Sequence, residues 1–245
     1  MSAQTIERQG ERARLANWRG DRLVAHLSPA AGSPLSAEFV TCCMDWLRER
    51  GYTSVVSSAL SRQECVGFLK AGFDIQEELE LLSHDLAHLP KVPRGLRRAR
   101  GSDRLSVLEV DAVSFDPFWR LHKGGLEEAL EATPRVRFRV APRSLGEGPA
   151  TEGRDRRHRR EIAGYVIAGR GQGIGYLQRL AVHPLARRRG LGSTLVFDAL
   201  SWMHRRGATR ALVNTQRSNQ GALALYQACG FRVLPEGLQV LARGL

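Results

Sequence analysis

Toward the C-terminal end, three arginines lead into two glycines: Arg187-Arg188-Arg189-Gly190-Leu191-Gly192, followed by Ser193. This spacing suits a phosphate ester. Glycines, lacking Cβ, let the backbone approach a bound group closely, and the arginines add positive charge. A helix is predicted to open here, and its first amides have no acceptor within the helix. The positive end of its dipole faces the loop. Together these features make a pyrophosphate site. No Lys-Ser/Thr pair follows the glycines, so the pattern is not a nucleoside-triphosphate loop, and a third glycine is missing for the dinucleotide fingerprint. Downstream stand Asn219 and Tyr226. Asn219 suits a ligand contact and equally a helix N-cap. Tyr226 can protonate a leaving group, or it can be a core residue with its hydroxyl satisfied locally.

These residues need elements to hold them. The apolar segment 176–182 is predicted as a strand entering the loop. A helix over 192–206, a strand over 211–215, a helix over 219–228 and a strand over 237–242 follow. Before them, 105–111 is a strand candidate, 116–121 a turn, 126–132 a helix, and 136–141 an alternating, half-buried strand. Residues 144–160 form a Gly- and Arg-rich loop, and 161–168 a further strand. In the N-terminal third, strands at 22–26 and 52–59 flank a helix over 37–50. That helix has Phe39, Val40, Cys43, Met44 and Leu47 on one face. A helix over 63–70 and a strand over 73–82 come next. Strands alternating with helices argue for an α/β sheet.

Residues 46–60, beginning at Trp46, repeat the order of residues 202–216, beginning at Trp202. A Gly-Phe pair closes each copy, at Gly72-Phe73 and Gly230-Phe231. A duplication explains this order. Between the copies, residues 89–104 carry Pro90, Pro93, Gly95, Gly101 and five arginines, which reads as an exposed linker. The expected organisation is an N-terminal half-domain over 1–93, a basic linker over 94–104 and a second domain over 105–245.

Arg187-x-x-Gly190-x-Gly192 resembles the cofactor loop of the GNAT N-acetyltransferases. The apolar strand ending Leu180-Ala181-Val182-His183-Pro184 is similar to theirs. So is the later run Asn219, Ala222, Leu225, Tyr226, Gly230 and Phe231. Three motifs in order over about fifty-five residues make the pattern specific. The resemblance covers roughly 105–245 and is sharp in the second half of that span. It implies a mixed α/β GNAT-type sheet flanked by helices, preceded here by a degenerate GNAT-like half-domain. It also implies acetyl-CoA as co-substrate, no metal, and direct attack of an amine on the acetyl carbonyl in a ternary complex.

By the same resemblance, Leu180, Ala181 and Val182 would offer backbone groups to the pantetheine arm. The amides from Arg188 through Ser193, including Gly190, Leu191 and Gly192, would hold the pyrophosphate, with Arg187, Arg188 and Arg189 adding charge. Asn219 would contact the pantetheine region, and Tyr226 would protonate the departing thiolate. Within the superfamily the chain looks closest to the ribosomal-protein N-terminal acetyltransferases, through Asp111, Phe115, Asp116, Pro117, Phe118 and Trp119. Their general-base glutamate is Asn214 here. An amide cannot accept a proton from an ammonium, so either the base lies elsewhere, or it works through a water that Gln178 and Asn214 could order, or the amine arrives already neutral; Asp111 and Glu109 are the acids nearest in sequence. The N-terminal copy has no Arg-x-x-Gly-x-Gly and is expected to bind no acetyl-CoA.

The wider composition agrees with an enzyme of this kind. Across 245 residues, 37 Lys+Arg against 25 Asp+Glu give a net charge of +12. Such a surface attracts anions: a cofactor such as coenzyme A, nucleic acid or the ribosome. The charge clusters at Arg94–Arg104, Arg154–Arg160 and Arg187–Arg189, and the first two clusters are equally well read as solvated loops. No secretory h-region and no membrane-length apolar run is present. The four cysteines, Cys42, Cys43, Cys65 and Cys229, lie in apolar segments without metal-ligand spacing, as reduced buried thiols in a cytoplasmic protein would. The acceptor is expected to be a primary amine, on a protein N-terminus or on a small molecule such as a polyamine or aminoglycoside. The competing expectation is an acetyl-CoA-binding sensor or adaptor that contacts RNA or the ribosome.

Overall fold

A computed structural model of the chain describes residues 4–30, 33–91, 95–143 and 161–245. The basic run at 154–160, and the loop that holds it, lie outside the described residues. Among the described residues, no helix is long and apolar enough to cross a membrane. Two compact units interleave along the sequence. One comprises Met1–Leu81, Asn214–Asn219 and Leu234–Leu245; the other comprises Leu82–Val213 and Gln220–Val233.

The first unit begins with β1 (Gln4–Arg8) and β2 (Glu11–Asn17), an antiparallel pair. The turn between them puts Gln9 and Gly10 at φ of 51° and 84°, the mirror-image turn that matches strand twist. These strands were not expected, although Ala13 and Leu15 of β2 alternate with Arg12 and Arg14 and are buried; the surrounding charged residues masked so short a pattern. β3 (Val24–Pro29), α1 (Ala37–Arg48), β4 (Ser54–Ser57), α2 (Arg62–Lys70) and β5 (Asp74–His84) follow, and β12 (Leu238–Gly244) completes the sheet. The strand order is β1-β2-β3-β4-β12-β5. β3 and β4 run parallel, and β12 is antiparallel to both of its neighbours. α1 buries Phe39, Val40, Cys43, Met44 and Leu47, the face its spacing predicts. Ser61 and Glu64 form a capping box at the start of α2, satisfying two otherwise orphaned amides.

The second unit contains β6 (Arg97–Arg98), α3 (Arg104–Ser114), α4 (Lys123–Glu131), β7 (Arg135–Pro142), β8 (Ile162–Gly171) and β9 (Ile174–Val182). It continues with α5 (Leu191–Arg205), the first part of β10 (Arg210–Gln216), α6 (Gln220–Ala228) and β11 (Arg232–Val233). The order runs β10-β9-β8-β7-β6. Leu195, Val196, Ala199, Leu200 and Met203 of α5 bury one sheet face together with Val166 and Leu177. Val107 and Val110 of α3 and Leu126 of α4 bury the other with Tyr165 and Ile167.

Two expectations are corrected here. Residues 105–111 are helical. Leu105, Val107 and Glu109 alternate as a strand would, but Val107, Val110 and Asp111 lie on one helical face and are buried, while Leu105 is 76% exposed. The basic stretch before it is not a bare spacer either. Arg97–Arg98 pairs with β7, and the Arg97 guanidinium grips buried Asp103 through two bonds of 2.7 Å. The repeat is visible in both units as strand, helix, strand, helix, strand: β3-α1-β4-α2-β5 and β9-α5-β10-α6-β11.

Candidate functional site

The central element is β9. It pairs antiparallel with β8 along its length, with a register shift that leaves Gln178 as the extra residue, a bulge of the kind that re-aims a side chain. Its other edge pairs in parallel with β10 only at Ile174, Gly175 and Tyr176. Beyond that point no strand of the unit, among the described residues, pairs with 177–182. The amide of His183 donates to the Ala163 carbonyl at 2.8 Å. Alternation along the ladder then turns the backbone groups of Ala181 toward Tyr165 on β8, and those of Leu180 and Val182 toward the open edge. Of the three residues expected to offer backbone groups, Ala181 therefore has its own engaged with β8. The Val182 carbonyl already accepts from Ser114 Oγ at 3.3 Å and Arg187 Nε at 3.2 Å. Unpaired backbone groups in a half-buried strand are costly, and this edge suits a ligand that hydrogen-bonds as an added strand does.

The strand runs into a short turn, Pro184–Ala186, and then the arginine–glycine loop. Arg188 and Gly190 take φ of 63° and 75°, and α5 starts immediately after. Its first internal bond is Thr194 N to Gly190 O, 3.0 Å. The amides of Leu191, Gly192 and Ser193 thus have no acceptor within the helix. Arg187, Arg188 and Arg189 are exposed beside them. The two glycines serve different needs. At Gly190 a Cβ would meet nothing within 4 Å, so its requirement is the left-handed backbone; at Gly192 a Cβ would lie 3.0 Å from Leu225 Cδ2, so the requirement is close packing of α6.

Tyr226 on α6 is 6% exposed, with its ring 5.7 Å from Phe231. It shares one core cluster with Leu191, and Leu180 and Val182 pack against that cluster. Burial pushes its hydroxyl above the usual tyrosine range, against an opposing pull from the Arg179 charge. The group therefore holds its proton at neutral pH, as an acid must. Gly230 ends α6 at φ 91°, and Phe231 meets His84 edge-on at 5.2 Å. These contacts give the Gly-Phe pair its structural reason. His84 Nδ1 accepts from the Leu86 amide at 2.8 Å, and burial lowers the affinity of His84 for a second proton.

Asn214 and Asn219 belong to the first unit. Asn214 is exposed, and the half-buried Asn219 donates its amide to the Gln216 carbonyl at 3.0 Å. Asp111 is not free to act as a base. It is fully buried and accepts from Arg179 Nε at 2.8 Å, Arg179 Nη2 at 2.9 Å and the Leu121 amide at 2.7 Å. The Tyr165 hydroxyl also donates to it. Glu109 is exposed. Gln178 Nε2 reaches Thr133 Oγ1 at 3.4 Å, while its Oε1 is buried without a partner among the described residues. The Asp111–Arg179–Tyr165 cluster escaped the sequence reading. A charged residue inside an otherwise apolar β9 was its only signal.

The equivalent helix start in the first unit is closed. Glu11 accepts the Ser36 amide at 2.5 Å and the Ser36 hydroxyl at 2.7 Å, so a carboxylate already occupies the positive end of α1. A Cβ at Gly67 of α2 would stand 1.9 Å from the Leu35 carbonyl oxygen, so α2 fills the adjoining space.

Residues 137–231 match the family model described as the Acetyltransferase (GNAT) family. The chain carries a GNAT acetyltransferase domain. A mycothiol acetyltransferase from Amycolatopsis mediterranei (strain U-32) is 26% identical over 217 residues, which span 75% of this chain and 68% of that protein. Among solved structures, a tandem GNAT protein from the clavulanic acid biosynthesis pathway superposes with a TM-score of 0.62 at 14% identity. The match covers 98% of this chain and 81% of that one. A GCN5-related N-acetyltransferase from Sphaerobacter thermophilus gives 0.61 at 16% identity, over 96% and 76% of the two chains. At these identities the structural matches concern the fold, and the tandem arrangement agrees with the repeat in this acetyltransferase. Among the described residues, no group of three or more His, Cys, Asp or Glu is placed to hold a metal.

Proposed function

We propose that this acetyltransferase moves an acetyl group from acetyl-CoA to a primary amine by direct attack in a ternary complex. The observation that carries this is the open edge of β9 leading straight to the uncapped start of α5. The pantetheine amides take the Val182 N–H and the Leu180 backbone groups. The pyrophosphate takes the amides of Leu191, Gly192 and Ser193, with Arg187, Arg188 and Arg189 as counter-charge. Asn219 is assigned to the pantetheine region on the strength of the family resemblance.

The chemistry is balanced with no further reactant. The amine lone pair attacks the acetyl carbonyl carbon, the C–N bond forms, and the C–S bond breaks as the tetrahedral intermediate collapses. Tyr226 gives its proton to the departing sulfur, and the amine proton leaves through water. That water is assigned to Gln178, whose carbonyl oxygen lacks a partner among the described residues; Asn214 holds the position of the family's base by the resemblance alone. The resemblance to ribosomal-protein N-terminal acetyltransferases supports a protein N-terminal amine as acceptor. The likeness to a mycothiol acetyltransferase adds a small thiol-bearing amine to the same test. Free cysteines, three of them buried, fit action in the cytoplasm.

The N-terminal unit is proposed to be a GNAT-like half that binds no acetyl-CoA, because Glu11 supplies the negative charge that a phosphate would. Calorimetry with acetyl-CoA is expected to give one site per chain. A CoA-release assay over N-terminal peptides, polyamines and desacetyl mycothiol is expected to find a turned-over amine. One observation favours a second reading. With Asn214 in the position of a base and Asp111 fully engaged, the protein would be an acetyl-CoA sensor or adaptor for RNA or the ribosome. In that case acetyl-CoA raises the Tm, no amine is acetylated, and RNA binding weakens steeply with salt.

A further inference from the structure

A row of arginines lies on one face of the second unit's sheet, away from the open edge of β9. In an antiparallel ladder, directly opposed residues point to the same face, and residues two apart along a strand share it. By register, Arg98 of β6 opposes Arg139 of β7, and Arg139 opposes Val166 of β8. Arg137 opposes Ala168, and Arg135 opposes Arg170. Val166 and Ala168 pack in the cluster of α5, so all five arginines flank that helix. Like charges directly opposite each other are destabilising. This face carries two such pairs, Arg98 with Arg139 and Arg135 with Arg170. Among the described residues, Asp198 of α5 is the only acid that pairs with any of the five. Arg137 takes it at 2.7 and 2.8 Å, and Arg139 Nε stands 3.6 Å from it. Arg170 Nη2 reaches the Gly207 carbonyl at 3.3 Å. Nε of Arg139 and Nε of Arg170 are buried without a hydrogen-bond partner among the described residues, while Arg98 and Arg135 are exposed.

We propose that this row is a docking surface for an extended protein segment with acidic residues at alternate positions. The spacing carries the choice. Arg135, Arg137 and Arg139 recur about every 6.7 Å along β7, and side chains at alternate positions of an extended segment recur at that same interval. Arg135 to Arg139 spans about 13 Å, more than one inorganic phosphate can cover. Each guanidinium offers a planar fork that a carboxylate meets with two parallel bonds. A nucleic acid carries suitable charge but stacks its bases on aromatic rings, and the sheet positions of this row hold none. Phe138, the aromatic of β7, is turned to the opposite face, where its ring lies 6.3 Å from that of Tyr165. β7 and β6 are two and three strands from β9 in the sheet. The row is therefore separate from the acetyl-CoA edge, and its role is independent of the acetyl-transfer reading.

The test is fluorescence anisotropy on the full-length protein with a labelled Ser-Glu-Val-Glu-Val-Glu-Ser peptide. Its counterpart with glutamines in place of the glutamates is expected to bind about 10-fold more weakly, three ion pairs being lost. A peptide of the same composition with its glutamates adjacent is expected to bind about threefold more weakly. The paired substitution Arg98→Ser with Arg135→Ser changes two exposed side chains. It is expected to weaken binding of the alternating peptide about fivefold at unchanged Tm. Excess CoA is expected to leave the affinity for the peptide unchanged. Equal affinity for the glutamine peptide or for the clustered one overturns the proposal, and neither result needs a variant. A folded double variant that binds as wild type does overturns it too. Displacement of the peptide by CoA would put it at the α5 loop instead, with the same consequence. Oligouridine that binds more tightly than the peptide, and is lost in the double variant, assigns the face to nucleic acid and likewise overturns the proposal.

Discussion

In the proposed reaction Tyr226 protonates the departing sulfur, and its environment makes a clear demand. A hydroxyl that burial holds protonated contributes as an acid without ionising first. Tyr226→Phe removes one oxygen from a packed ring, so kcat is expected to fall about 10²-fold, with the acetyl-CoA Kd within about twofold by calorimetry. The glycines differ from each other in the same concrete way. Gly190→Ala meets no neighbour but must hold φ of 75°, costing about 1–2 kcal/mol of strain. Gly192→Ala presses on Leu225 at 3.0 Å, an overpacking cost of about 1–3 kcal/mol that loosens α6 as well as the loop. Tm and acetyl-CoA affinity measured on both variants separate backbone strain from helix packing. Asp111→Ala strands a buried Arg179 and is expected to destabilise the protein by about 3–5 kcal/mol in urea unfolding. How much of this was legible beforehand depends on the residue. The loop, Tyr226 and Gly230 declare themselves through spacing. Asp111 and Arg179 are 68 residues apart in sequence, and only the fold brings them together.

At the scale of elements, β9 and α5 follow from pattern because apolar periodicity and a glycine-marked start coincide there. α3 does not, since Leu105-Ser106-Val107-Leu108-Glu109 carries strand and helix periods together, and packing against β8 decides between them. β1 and β2 were missed because their apolar face, Ile6, Ala13 and Leu15, is short and set among charged residues. The open edge of β9 was equally hidden, since a ladder that stops after three pairs leaves no trace in composition. On β3, His26 beside Trp18, Arg19 and Arg14 carries a prediction of its own. Burial first, then the two arginine charges, lower its pKa from 6.5 to about 4. The unfolded chain therefore takes up a proton that the folded chain refuses. Stability from this group is complete above about pH 6.5 and drains as pH falls toward 4, by about 1–3 kcal/mol. His84 shifts in the same direction and adds to the loss. Denaturant midpoints measured from pH 7.5 to 4.5 check the sign, and His26→Gln is expected to flatten the curve.

For the whole molecule, the +12 net charge already subtracts the carboxylates, so ion pairing leaves it unchanged and decides only where the positive groups sit. Arg97 is held by Asp103, Arg137 by Asp198 and Arg179 by Asp111, each through two bonds. Arg104 and Arg143 pair with Glu127 and Glu161. These arginines act as clamps, whereas Arg187, Arg188 and Arg189 are exposed at the α5 loop, where a small anion is the proposed ligand. Acetyl-CoA affinity is accordingly expected to fall only modestly between 50 and 300 mM salt on titration, since exposed charges at one loop are screened while backbone amides are not.

One feature of topology reaches into biosynthesis. The last strand, β12, lies between β4 and β5 and seals Leu241 into the core of the N-terminal unit. Strands β3, β4 and β5 therefore stay part of an unfinished sheet, with β4 and β5 lacking their common neighbour, until residues 238–244 leave the ribosome. A chain cut just before Leu238 would lose the strand that completes the half made first.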